Sequence, residues 1–558
     1  MRGIRFVMAV VLATCVPPAI AEVTVLTAAT IRTMDPARPV AGAMAFDDAG
    51  AILAVGEAGA LHARWPDATR LDLGSATVIP GLIDAHGHVA GLGLSRMRVE
   101  LEGTRDKAEV LARLRAFSDS LQPGDWLLGR GWDQNDWPEQ VFPTAADLDA
   151  AFPDRPVWLS RIDGHAGWAN SAAMRAIERD LSGTSASEGW QPDGGRIVRD
   201  DKGQATGIFV DEAMGVVRTV VPDASEETLE RALKLAMDDA VAHGLTGVHD
   251  AGVSLGELRI MQRLADDGEM PMRITAMADG NSKALEWLCQ EGLYQHPSHR
   301  LKMRTVKLYI DGALGSRGAA MLKEYSDDHG NLGLLVMTPA QLGDAVAKAQ
   351  RCDVQVATHA IGDRGNHLVL EAYAAALGGK AANTDHRWRI EHAQILSPDD
   401  LPRLARMHVI ASMQPTHATS DMPWAEDRVG PQRINGAYAW RKLRDSGARL
   451  ALGSDFPVES VDPRLGLYAA ATRTDAEGMP AGGWHPEDKL TAWEALRGFT
   501  LDAAYAGFAE AEVGSLAPGK RADFVVLAQD PLAIDPAGLR DLTVRATYVD
   551  GEAVFEAK

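Results

Sequence analysis

Val78-Ile79-Pro80-Gly81-Leu82-Ile83-Asp84-Ala85-His86-Gly87-His88 is an apolar run that ends in two histidines one residue apart. Residues i and i+2 of a β-strand share a face, so His86 and His88 converge on one point. Two convergent imidazoles at the end of a buried strand suit a divalent metal. Such pairs also arise by chance, and the rest of the chain gives this one its weight. Later apolar runs carry, in order, Lys307, His359, His392 and Asp455, all possible metal-site groups.

Those later runs set the architecture. Strand-like segments fall at Thr246 to Asp250, Met272 to Ala278, Thr305 to Ile310, Val354 to Thr358, Trp388 to Glu391, Val409 to Gln414 and Arg449 to Gly453. Helical patterns separate most of them, as at Thr228 to His243 and Ala340 to Arg351. With the first run there are eight strand units in alternation, which predicts an α/β fold, a (β/α)8 TIM barrel over 78–500. The active site of such a barrel lies at the C-terminal ends of its strands. The candidate residues sit at or just after those ends, except Lys307, which falls within its run.

Residues of about 91–240 are too many for an ordinary βα loop and predict a large insertion after barrel strand 1. Many of the tryptophans lie there. Gly131-Trp132-Asp133 and Arg161-Ile162-Asp163-Gly164-His165 read equally as substrate-pocket material and as the insert's own core, so Trp132, Asp133 and His165 are pocket candidates. His249, at the end of the second run, either lines the site or supports it. Arg317 binds substrate or holds the loop after strand four, and His417 is a weaker pocket candidate.

The two chain ends share a texture. Val23 to Leu26, Ala43 to Asp47 and Ala51 to Val55 near one end match Asp523 to Leu527, Val544 to Val549 and Ala553 to Phe555 at the other. The expectation is one small β-sandwich built from 22–77 and 501–558, with Asp550-Gly551 as a hairpin turn. Arg2 and Arg5, the apolar run Phe6 to Val16, and Ala19-Ile20-Ala21 read as a secretory signal peptide over 1–21. The protein is therefore expected to be exported, periplasmic or secreted, with no membrane span once the signal is removed. Cys15 leaves with that signal. Cys289 and Cys352 can pair in an oxidising compartment, but spacing does not show it, and both are read as buried thiols. A formal charge of −21 over 558 residues argues against a nucleic-acid partner.

Taken together, these motifs are similar to those of the amidohydrolase superfamily, and more closely its amidohydrolase-3 branch, which includes N-substituted formamide deformylases. The likeness rests on Pro80 to His88, Val306-Lys307-Leu308-Tyr309-Ile310-Asp311-Gly312-Ala313-Leu314-Gly315-Ser316-Arg317, Thr358-His359-Ala360-Ile361-Gly362-Asp363, Ile390-Glu391-His392-Ala393 and Leu452-Gly453-Ser454-Asp455-Phe456-Pro457. Gly514-Ser515-Leu516 and Gly519-Lys520-Arg521-Ala522-Asp523 extend it into the tail.

The resemblance implies two divalent metals, zinc by default, with His86, His88 and Asp455 on one and His359 and His392 on the other. Lys307 would bridge them as a carbamate. Asp455 would act as general base and then general acid in hydrolysis of a non-peptide C–N bond, an amide or formamide. A deaminase or a carbamate or lactone hydrolase fits the same site, and a non-catalytic exported solute-binding protein is the reading from a different class. The implied partner is a small amide-type molecule, and a homodimer is expected.

Overall fold

The structure, a computed structural model, describes residues 22–558 apart from 120, 123, 163, 165, 184–188, 193–194, 212, 281 and 380–383, with no side-chain placement at 135 and 211. The segment expected to be a signal peptide, Cys15 and His165 lie outside the described residues.

Eight parallel strands form the central sheet: β1 (Leu82–Gly87), β2 (Leu245–Val253), β3 (Arg273–Asp279), β4 (Leu301–Tyr309), β5 (Gln355–Ala360), β6 (Arg389–His392), β7 (Ile410–Met413) and β8 (Leu450–Leu452). Each pairs in parallel with the next in sequence, as a (β/α)8 barrel requires. All six residues of β1 and all four of β6 are buried. Near-continuous burial is what a parallel sheet covered on both faces demands. The gap between β8 and β1 is closed beyond the ladder: the Asp455 amide donates to the His86 carbonyl at 2.7 Å. The Ser454 amide and hydroxyl donate to the buried Asp84 carboxylate.

The helices that cover the strands carry their own start signals. In Glu226–Ala242, Ser225 accepts from the Thr228 amide, and Leu233, Met237, Ala240 and Val241 bury one stripe against the barrel. Pro339–Arg351 begins at a Thr338/Gln341 capping box with proline in its first turn.

The chain ends share an eight-stranded sheet in which Phe524–Leu527 pairs with Thr77–Pro80. The run that opened the sequence reading thus serves two bodies, since Thr77–Pro80 belongs to the end sheet and Leu82–Gly87 to the barrel. Gly81 makes the transition; a Cβ there would lie 2.1 Å from Thr246 Oγ1. At the other end Leu501–Ala506 is a helix packed on the barrel, so the end sheet resumes at Phe524.

The chain between β1 and β2 holds a separate six-stranded sheet running from Val99 to Asp211. This is narrower than 91–240, because Val89–Arg96 and Glu226–Ala242 on either side are barrel helices packed into the main core. Trp132, Trp137 and Trp168 interlock in the insert's core, with ring centroids 5.9–6.2 Å apart. Their indole N–H groups donate to Leu159, Thr104 and Thr144 carbonyls, so each buried aromatic is satisfied.

Cys289 and Cys352 are half-buried and joined in a disulfide, which corrects their reading as buried free thiols. Their separation of 63 residues hid the pairing. The barrel supplies it by laying helix Ala284–Glu291 beside the end of Pro339–Arg351, with Cα atoms 5.0 Å apart. A loop of that length gives a chain-entropy stabilisation of about 4 kcal/mol at most. Cys352→Ser is expected to lower the urea midpoint accordingly; an unchanged midpoint would show that the bond constrains nothing. Among the described residues no helix is long and apolar enough to cross a membrane.

Candidate metal centre and active site

The C-terminal ends of β1, β4, β5, β6 and β8 bring His86, His88, Lys307, His359, His392 and Asp455 to one mouth of the barrel. Ligand-type atoms of His86, His392 and Asp455 all lie within 4.8 Å of one another. His88 Nε2 is 3.1 Å from Asp455 Oδ1. Lys307 Nζ is 2.9 Å from His86 Nε2. The His359 and His392 rings meet edge to face with centroids 4.6 Å apart.

Two backbone features produce this convergence. His392 and Ala393 have φ of 70° and 43°, and Asp455 has φ of 64°. Alternation along an extended strand would send Glu391 and His392 to opposite faces. The left-handed turn at His392 lets both serve the same centre. Non-glycine residues in that region are uncommon and concentrate at functional sites.

Hydrogen bonds fix which imidazole nitrogen faces the centre. His86 Nδ1 lies 2.5 Å from the Glu391 carboxylate, so it carries the proton and Nε2 keeps its lone pair. His392 Nδ1 is 2.8 Å from Gln414 Oε1, with the same consequence. Glu391 is held in turn by Arg389, which also reaches Ala85 O, Ser412 Oγ and His249 Nδ1. Burial, then Lys307, pushes the His86 imidazole down to about 4 and that of His359 to about 3. Burial also holds His392 well below its ordinary value. These rings are neutral at pH 7, the form that donates a lone pair. Burial opposes ionisation of Asp455, but His86, His88 and His392 outweigh it and hold the carboxyl well below the usual range. Burial brings the Lys307 amine down to about 8, with Glu391 and Asp455 opposing.

His359 Nε2 is buried without a hydrogen-bond partner. A buried orphan nitrogen is costly unless something coordinates it. Neutral imidazoles, a carboxylate and an amine of lowered basicity form a donor set that fits a divalent cation.

The other candidates fall elsewhere. Trp132 is fully buried in the insert's tryptophan core, the second of the two readings left open for it. Asp133 is ion-paired to Arg161 at 2.5 Å within the insert. Arg317 is tied to Asp327, ten residues along the same loop, which also takes Arg428. His249 lies in the barrel interior beneath Arg389, on the support side of the two readings left open for it. His417 comes closer than the sequence suggested: its Nε2 is 3.7 Å from Asp455 Oδ2, and its ring stacks on His392 with centroids 5.8 Å apart.

The sequence reading missed the supporting roles of Asp84, Arg389, Glu391 and Gln414. A signal was present. Each is a polar residue in or beside an otherwise apolar buried strand, where it must find a partner.

A parallel barrel with neutral imidazoles, a carboxylate and an amine at its C-terminal mouth fits the class of metal-dependent hydrolases. A family model described as the amidohydrolase family matches residues 70–555, and the chain belongs to that family. It is 35% identical over 560 residues to the protein LONG AFTER FAR-RED 3 of Arabidopsis thaliana, covering 97% of this chain and 93% of that one. It is 30% identical over 546 residues to the N-substituted formamide deformylase of Arthrobacter pascens, covering 95% and 97%. Among solved structures, an uncharacterized metal-dependent hydrolase of Pyrococcus horikoshii OT3 superposes with a TM-score of 0.76 at 27% identity, over 92% of this chain and 99% of that one.

Proposed function

We propose that the protein is an exported, metal-dependent amidohydrolase that cleaves a non-peptide amide or formamide bond of a small molecule. The observation that carries this reading is the convergence of four imidazoles, Lys307 and Asp455 on one mouth, with His86 and His392 locked so that Nε2 faces inward. A divalent metal pair, zinc by default, would be held by His86, His88 and Asp455 on one side and by His359 and His392 on the other. Bound metal supplies two things, a lowered water pKa and a polarised carbonyl.

The chain's own residues do the rest. Lys307 is buried, and its depressed basicity leaves a fraction of neutral amine at neutral pH. That amine could add to the carbon of carbon dioxide and lose a proton, and the resulting carbamate would give Lys307 the anionic oxygens with which to help hold the metal pair. Asp455 stays ionised and accepts a proton from the attacking water, then returns it to the leaving nitrogen. Glu391 and Gln414 keep His86 and His392 oriented. The Cys289–Cys352 disulfide supports export, because such bonds persist in oxidising compartments. So does the N-terminal pattern of Arg2, Arg5, Phe6 to Val16 and Ala19-Ile20-Ala21.

The test is a series of N-substituted formamides and N-acyl amines, followed by release of acid and amine, before and after chelator treatment. Turnover that is lost on chelation and restored by zinc supports the reading. Turnover indifferent to chelation, or none on any amide of the series, would overturn it.

A further inference from the structure

A small cavity lies at the opposite, N-terminal end of the barrel. His249, Thr275 and Lys302 are in-register partners on β2, β3 and β4, so they stand in one row on the same face of the sheet. They line a cavity of about 30 Å³, bounded beyond them by Ala504, Ala509 and Glu512. That volume admits roughly one or two water-sized particles.

The row presents donors. Arg389 has no acceptor atoms, so His249 Nδ1 accepts from it at 2.8 Å. The proton of the neutral ring then sits on Nε2. Burial, then Arg389, holds this ring far below its ordinary value, so it stays neutral. His249 is 2% exposed and Thr275 7% exposed. Among the described residues no protein atom hydrogen-bonds His249 Nε2, Thr275 Oγ1 or Lys302 Nζ. Gly507 keeps the space beside Nε2 clear, since a Cβ there would lie 2.6 Å from that nitrogen.

Lys302 makes no ion pair within 4 Å, and Glu512, also at the cavity, is the main charge acting on it. Arg273 is occupied by Asp523 and Asp550. Glu512 is paired with His299 at 3.0 Å. Lys302 is left without an ion pair. Burial lowers its amine to about 8, partly offset by Glu512, which still leaves it mostly protonated at pH 7. A half-buried cation beside two neutral donors offers an anion three groups to accept from.

We infer that this cavity binds a small monovalent anion, a halide or a one-carbon carboxylate, through Lys302 Nζ, Thr275 Oγ1 and His249 Nε2. The inference stands apart from the hydrolase reading, because none of the three residues belongs to the metal centre. His249 is the shared member: through Arg389 it touches the Glu391–His86 pair, so the anion sits beneath the residues that orient the centre.

Crystals of the whole protein soaked in sodium bromide should show an anomalous peak beside Lys302 Nζ. In solution, thermal unfolding is compared at constant ionic strength in chloride, formate and the much larger gluconate. The anion that fits should raise Tm saturably by about 2 °C over gluconate, and Lys302→Met should abolish the difference. A larger shift with chloride identifies a halide site, and a larger shift with formate a carboxylate site. No anomalous peak, with equal Tm in all three salts, means that the cavity holds water only and overturns the proposal. If Lys302→Met does not fold, the bromide map of the unaltered protein decides.

Discussion

Asp455→Asn is expected to lower kcat/KM by at least about 10²–10⁴-fold, the range for loss of a general acid–base group. Asparagine keeps the size of the side chain and tolerates the left-handed backbone found here, φ of 64°. The hydrogen bond donated by the backbone N–H of residue 455 to the His86 carbonyl, which helps close the barrel, also survives. The loss is therefore not a loss of the fold. Asp455 sits 3.1 Å from His88 Nε2 and 3.7 Å from His417 Nε2, so its carboxylate is central to the mouth. Steady-state rates alongside a melting curve check this. Near-normal turnover in a folded Asp455→Asn protein would remove it from the proton path.

Glu391→Ala is expected to be the most destabilising single change at the site, by about 3–5 kcal/mol. The Arg389 guanidinium and the Glu391 carboxylate are both fully buried, 2.7 Å apart. Removing one leaves the other charge without compensation in the barrel interior. His86 loses its orienting acceptor in the same step, which is expected to weaken metal affinity about 10–100-fold. Urea unfolding and a metal titration read the two effects separately. Glu391→Gln, which keeps one hydrogen-bond acceptor, should fall between. Equal stability of all three proteins would show that Arg389 is neutralised by other means.

The barrel was legible because its strands are buried on both faces. Each gives an apolar run, and several runs end near a residue with metal-site chemistry, as at Ile83 to His86 or Ile390 to His392. The insert was legible as an excess of length between two such runs, but its edges were not. Val89–Arg96 and Glu226–Ala242 have the amphipathic pattern of any helix, and only packing shows that their apolar stripes face the barrel. The pocket reading of Trp132 failed because a buried tryptophan with a satisfied N–H looks the same in sequence as one that faces a ligand. The Arg317–Asp327 pair agrees with the loop-holding reading of Arg317, and the partner itself is set by the path of one loop. The roles of Glu391 and Gln414 depend on the positive φ at His392, which no periodicity anticipates. The disulfide depends on two helices meeting side by side.

The central claim is that Lys307 joins two metals at one centre. The direct measurement is metal content per chain for protein purified without chelator, beside Lys307→Ala purified in the same way. The account predicts about two divalent ions per chain in the unaltered protein, falling to one or none in the variant. One ion in both proteins would contradict it, leaving Lys307 a buried amine paired with Glu391 and Asp455 in a single-metal site.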